Sequence, residues 1–313
     1  PAIAFMLDMI TNHLIDSLKR PEEAMPYLQE LVAMQRRMLG DDHPETLDAL
    51  KSMGSTLYSM GKFDEADPYY AEYLERNRQL RGDEHSDTVH AIYLMGRVLR
   101  KQGEFDESEK LYIECLETRR RTLGDENPKT VAALGNLATL YSSQGMHEDA
   151  IPYYKEQLEL RRRLFGEDEP GTLKTLNAVA MSLYSEKKYG DAEPYFTELL
   201  AKQRRLLGDD DPNTLKVMNT MGIIVLAQGR PDEAEPYFVE SMAGRQRVLG
   251  KEDPATLSTV NNLALLNIRQ GRMKEAMPLL LQVLEGRRGA LGPVHPKTID
   301  SLKTAIGLFE ALQ

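Results

Sequence analysis

Residues 36–70 read RRMLGDDHPETLDALKSMGSTLYSMGKFDEADPYY. A basic, apolar run ends at Gly40, and an acidic linker leads to His43-Pro44-Glu45-Thr46. Leu47, Leu50, Met53 and Leu57 then fall at helical spacing. Proline suits the first position of that helix, because its missing N–H would be unpaired there anyway. Gly61 closes the helix. Phe63 opens a second one, whose Asp64 and Glu65 suit the positive end of a helix dipole. Pro68 is expected within the first turn of this second helix, which runs through Tyr70 and Leu74 to Gly82.

The same pattern returns along the chain. Gly40, Gly82, Gly124, Gly166, Gly208, Gly250 and Gly292 lie 42 residues apart. Pro44 recurs as Pro128, Pro170, Pro212, Pro254 and Pro296, with Ser86 the exception. Gly61 recurs as Gly103, Gly145, Gly229 and Gly271, with Lys187 the exception. Ala66 recurs as Ala24, Ser108, Ala150, Ala192, Ala234 and Ala276, so two helices are expected to touch closely at that site. A period of this length means stacked units, each burying its apolar face against its neighbours. The reading is a single array over 1–313. Its repeats are at about 1–40, 43–82, 85–124, 127–166, 169–208, 211–250 and 253–292, and a capping helix follows at 296–312.

These residues resemble the tetratricopeptide repeat. The family pattern falls on Leu50, Met53-Gly54, Gly61, Ala66 and Tyr70, and again on Leu134, Leu137-Ala138, Gly145, Ala150 and Tyr154. The repeat length, the LGDDHPET linker and the NNLALL helix at 261–266 are similar to the kinesin-light-chain subclass. That subclass also occurs as sensor or scaffold segments of large signalling proteins. The resemblance implies an all-α, right-handed superhelical solenoid of helix-turn-helix repeats. It also implies that the first helix of each pair lines a concave groove, with ligand contacts on its non-core positions.

Composition narrows the function. The net charge of −10 disfavours duplex nucleic acid, which needs a Lys/Arg-rich face. No apolar run spans a membrane and no signal peptide opens the chain. The chain is in repeat phase by its third residue and reads as an excised segment of something longer, in a cytoplasmic setting. Cys115 stands alone in an apolar helical stretch, where a packing role is expected. No phosphate-cradling loop, nucleophile elbow or H-E-x-x-H motif is present. His43, His85 and His295 each precede a helix, a capping position rather than a metal site. The acidic linkers lack the ligand spacing of a calcium loop. No enzyme, cofactor or metal is therefore expected.

Two charged or polar series remain. Arg36, Arg78, Arg120, Arg162, Arg204 and Arg288 share one register position, interrupted by Gln246. They are read as last-turn cations paired with the acidic linkers, against an anion-binding stripe for phosphate or RNA. The groove is the preferred site. The glycine register places Asn177, Asn219 and Asn261 at one lining position and Asn136 and Asn262 one residue on. Their amides suit a partner's backbone, with bridging between repeats as the competing role. Lys174 and Lys216 lie one turn earlier, and Lys51, His90, Tyr93, Arg97, Arg100 and Lys101 continue the lining. Tyr58 and Tyr184 add amphipathic area. The expected function is a non-catalytic scaffold that binds an extended, acidic peptide. The alternative is a sensor segment of a signalling kinase or NTPase acting through its ends. In the first helix, Ile3, Leu7, Ile10 and Leu14 form an expected packing stripe. Phe5, Met6 and Met9 lie off it, read either as a contact for an upstream domain or a second copy or as the mark of a degenerate terminal repeat.

Overall fold

The structure, a computed structural model, describes residues 2–311. Pro1 and residues 312–313, at the two ends of the expected array, lie outside the described residues. The chain divides into two compact units, one reaching to Leu160 and the other beginning at Arg161. Among the described residues every regular element is a helix. The first are α1 (Ala2–Asn12), continuing into a π-helical turn (His13–Ser17), α2 (Pro21–Leu39), α3 (Pro44–Ser59), α4 (Phe63–Arg81) and α5 (Ser86–Gln102). Next come α6 (Phe105–Leu123), α7 (Pro128–Ser143), α8 (His147–Phe165), α9 (Pro170–Ser185) and α10 (Tyr189–Leu207). The last are α11 (Pro212–Ala227), α12 (Pro231–Val248), α13 (Pro254–Arg269), α14 (Met273–Leu291) and α15 (Pro296–Ala311).

Local chemistry explains the helix starts. The Nδ1 atoms of His43, His85 and His295 accept the N–H two residues on, at 3.3, 3.2 and 3.2 Å. Asn127, Asp211 and Asp253 do the same with side-chain oxygens at 2.9, 2.8 and 2.8 Å. Each bond satisfies a donor that the helix leaves open. The recurrent threonine then closes the linker: Thr46, Thr88 and Thr130 donate to the carbonyls of Gly40, Gly82 and Gly124 at 2.7–2.8 Å. Between paired helices the chain turns left-handed at Gly61 (φ 76°), and Lys19 (54°) and Lys187 (57°) hold the same register position.

Helices meet where the small residues recur. Ala24, Ala66, Ala150, Ala192, Ala234, Ala276 and Ser108 are all fully buried, and Ser108 Oγ donates to the Gly96 carbonyl at 2.8 Å. Glycine lets an aromatic ring approach closely at Gly54 and Gly222, and at Gly96 beside Tyr112. A Cβ on Gly54 would lie 2.8 Å from the Tyr70 ring, and one on Gly222 would lie 2.6 Å from Phe238. Cys115 is buried, and burial pushes its thiol up to about 11, leaving it unreactive at neutral pH.

Two sequence expectations are corrected. Helix α4 begins at Phe63, so Pro68 lies in the second turn, as do Pro26, Pro152, Pro194, Pro236 and Pro278 or their equivalents inside the other helices. All are exposed, so the carbonyl left without its N–H partner faces water. In α1 the buried positions are Leu7 and Thr11, whereas Ile3 and Ile10 are exposed together with Phe5, Met6 and Met9. Helix α1 packs against α2, and these five apolar side chains stay exposed. At the other end, α15 buries Ala305 and Leu308 against Ala264, Ala276 and Leu280.

Candidate peptide-binding site

The arginine series is engaged with carboxylates. Arg78 reaches Glu114 at 2.6 Å and Arg162 reaches Glu198 at 2.6 Å, each 36 residues on, in the next second helix. Arg36–Glu72, Arg120–Glu156 and Arg204–Glu240 repeat the pair. The same arginines also meet the expected linker acids: Asp41, Asp83, Asp125, Glu167 and Asp209 lie at 3.1–3.4 Å. A guanidinium held between two carboxylates offers little to a phosphate. The glutamate partners were missed in the sequence, although they recur at the same 42-residue period. Where the arginine gives way to Gln246, the glutamate position also changes, to Gln282.

The lysine–asparagine series splits into two groups. Lys174 and Asn177 on α9 and Lys216 on α11 line one cavity of about 490 Å³, with Leu173, Met181 and Leu207 as apolar wall. Both lysines and Asn177 are exposed; Asp168, the carboxylate that lines the same cavity, is paired with Lys202 at 3.4 Å and Arg205 at 2.6 Å. Asn219 and Asn262 are not in this cavity. Asn262 Nδ2 donates to Asn219 Oδ1 at 3.0 Å and so ties α13 to α11, which is the bridging role. Asn136 on α7 and Asn261 on α13 are half-buried.

In the first unit, Tyr93, Arg97 and Arg100 follow one another along a face of α5. The Arg97 guanidinium lies 4.2 Å from the Tyr58 ring centroid and 5.4 Å from that of Tyr93. Tyr93 stacks on Tyr112 at 6.5 Å, and Arg119 faces its ring at 5.7 Å. Burial pushes the Tyr112 phenol up to about 12, against the pull of Arg100. Desolvation, then Lys51, Arg119, Lys129 and Arg97, hold His90 below the usual histidine range. This patch is therefore positive in potential but already cross-packed by cation–π contacts.

Paired antiparallel helices in this register match the tetratricopeptide repeat model over 13–79, 87–163, 136–201, 171–247 and 221–289. The chain belongs to the tetratricopeptide repeat family. A second model of the same repeat matches 51–112. No curated protein matches the sequence. Among solved structures, BtubC (BKLC) from P. vanneervenii is 22% identical, with TM-score 0.59, covering 74% of this chain and 92% of its own. The nearly identical tetratricopeptide-like repeats of Podosopora anserina, assigned to a kinesin light chain, are 21% identical. They cover 66% of this chain and 99% of theirs, with TM-score 0.57. The C-terminal part of a tetratricopeptide repeat protein from Cytophaga hutchinsonii is 16% identical, covers 94% of this chain and 98% of its own, and gives TM-score 0.65. At these identities the likeness is one of fold. Among the described residues no helix is long and apolar enough to cross a membrane.

Proposed function

We propose that this tetratricopeptide protein is a non-catalytic, cytoplasmic scaffold that grips an extended acidic segment of a partner along its first helices. The observation that carries the reading is the cavity holding Lys174, Lys216 and Asn177 without internal partners. Two unpaired ammonium groups over an apolar wall steer and hold carboxylates. The Asn177 amide, with Asn261 in the same unit, supplies donors and acceptors for a passing backbone, and Asn136 offers the same chemistry in the first unit. Asn219 and Asn262 set the spacing of α11 and α13. Within the first unit, Tyr93, Arg97 and Arg100 offer an aromatic and cationic surface of their own. The reading treats 1–313 as one array, because the 42-residue phase is unbroken from Gly40 to Gly292.

The test is an array of acidic peptides probed with the wild type and with a Lys174→Ala, Lys216→Ala double variant. Loss of about tenfold in affinity, with binding weakening as salt rises, is expected. Unchanged affinity would remove the groove assignment. A second reading, a sensor segment acting through its ends, is favoured by the exposed Ile3, Phe5, Met6 and Met9 of α1. On that reading Phe5→Ser with Met9→Ser abolishes association with an upstream domain or a second copy, while peptide binding persists.

A further inference from the structure

One register position of the second helices carries Gln35, Asn77, Arg119, Arg161, Gln203, Arg245 and Arg287. Its arginines are structural. Arg119, Arg245 and Arg287 donate from Nη1 to the carbonyls of Lys129 (2.9 Å), Ala255 (2.7 Å) and Lys297 (3.3 Å), each ten residues on at the start of the next helix. Arg245 adds Thr259 Oγ1 at 2.8 Å, and Arg287 adds Ser301 Oγ at 2.7 Å. Each guanidinium thus fills a niche between a second helix and the first helix that follows it.

Asn77 is fully buried at this position and turns its amide onto the Tyr73 carbonyl at 2.7 Å, whereas Gln35 leaves the niche unfilled. Beside Gln35 lies a cavity of about 610 Å³ between α1, α2 and α3, walled by Phe5, Leu31 and Met38 and rimmed by Asp8, Glu45 and Asp48. Gln35 lines it, is only 7% exposed, and its buried Oε1 has no hydrogen-bond partner. A buried acceptor left unpaired is costly, so it marks a place where a donor belongs. Among the described residues the one basic side chain lining it is His43; Lys51 holds Asp48 at 2.6 Å and Asn12 donates to Asp8 at 3.2 Å, and no cation is paired with Asp8 or Glu45.

We propose that this cavity receives the guanidinium of an arginine from a partner's peptide segment, which takes the place that the repeat's own arginine holds elsewhere. The planar fork of donors suits a niche that already fits that group in other repeats, and the apolar walls suit the arginine stem. The cavity beside Gln203 makes the contrast. It opens for the same reason, and Gln203 Oε1 is likewise unpartnered, but Lys174 and Lys216 line it and repel a cation. The inference stands apart from the acidic-segment reading, since it concerns a different cavity and the opposite charge.

Calorimetric titration of the full chain with an acetylated, amidated Ala-Arg-Ala peptide tests it. Saturable binding is expected, weakened about tenfold or more when citrulline replaces arginine and when Gln35→Arg refills the niche. Gln203→Arg is expected to leave the affinity unchanged. Propylguanidine, a guanidinium on a three-carbon stem without flanking peptide, is expected to bind about tenfold more weakly than the peptide. No saturable binding at millimolar concentration, equal affinity for the citrulline peptide, or equal affinity in Gln35→Arg would overturn the proposal. So would propylguanidine binding as tightly as the peptide. If Gln35→Arg fails to fold, Glu45→Gln with Asp8→Asn serves instead, and unchanged affinity in that variant overturns it equally.

Discussion

Lys187 and Lys19 occupy, with φ near 55°, a register position that glycine holds at Gly61, Gly103, Gly145, Gly229 and Gly271. A side chain in the left-handed region costs about 1–2 kcal/mol, part of which glycine returns as unfolded-state entropy. Lys187→Gly should therefore stabilise the protein by about 0.5–1 kcal/mol, read as a higher urea midpoint at unchanged slope. The exception at Lys187 was visible in the sequence; that the backbone there stays left-handed was shown by the structure, because a turn imposed by the repeat leaves it no other route. Gln246 is similar. Its own position reads as an interruption of the arginine series, and only the geometry shows that its partner position, Gln282, has changed with it. Register alone could not say which residue lies 36 positions on across a helix interface.

At the scale of elements, each first helix from α3 onward is started by a side chain that accepts from its first turn, and Glu169 does this for α9. Partial burial works against its ionisation, but Arg161 at 2.7 Å and the N–H groups of Gly171 and Thr172 prevail and hold it at about 2. A carboxylate with a depressed pKa stabilises fully above its ordinary value and loses that contribution as pH falls toward 2. Wild type should therefore lose more stability between about pH 4.5 and 2 than Glu169→Gln, compared as urea midpoints across that range. An identical pH profile would show that the cap and the Arg161 pair contribute nothing. The helix starts were legible from Pro-x-Thr and the linker residues. The second-turn position of Pro68 was not, because a helix boundary shifted by a few residues leaves the sequence pattern unchanged.

At the scale of the whole molecule, stability in a repeat array accumulates from neighbour interfaces. Removing 296–313 should uncover Leu280, Ala276 and Ala264, now 0% exposed. The expected loss is at least about 2 kcal/mol, the burial value of one leucine side chain, with increased binding of an apolar dye. An unchanged melting temperature would mean that α15 contributes nothing to the preceding repeat. The sequence by itself determined the family, the helix pairs, the capping chemistry and the pairing of the arginine series with its linkers. These follow from backbone sterics and short-range hydrogen bonds, which a 42-residue period writes out repeatedly. Tertiary structure alone decided which asparagines are free and which are spent, since Asn219 and Asn262 meet only when α11 packs beside α13. It also decided that a glutamine at Gln35 or Gln203 leaves a cavity. Whether a side chain fills a space depends on the distance to the facing helix, and no single repeat contains that distance.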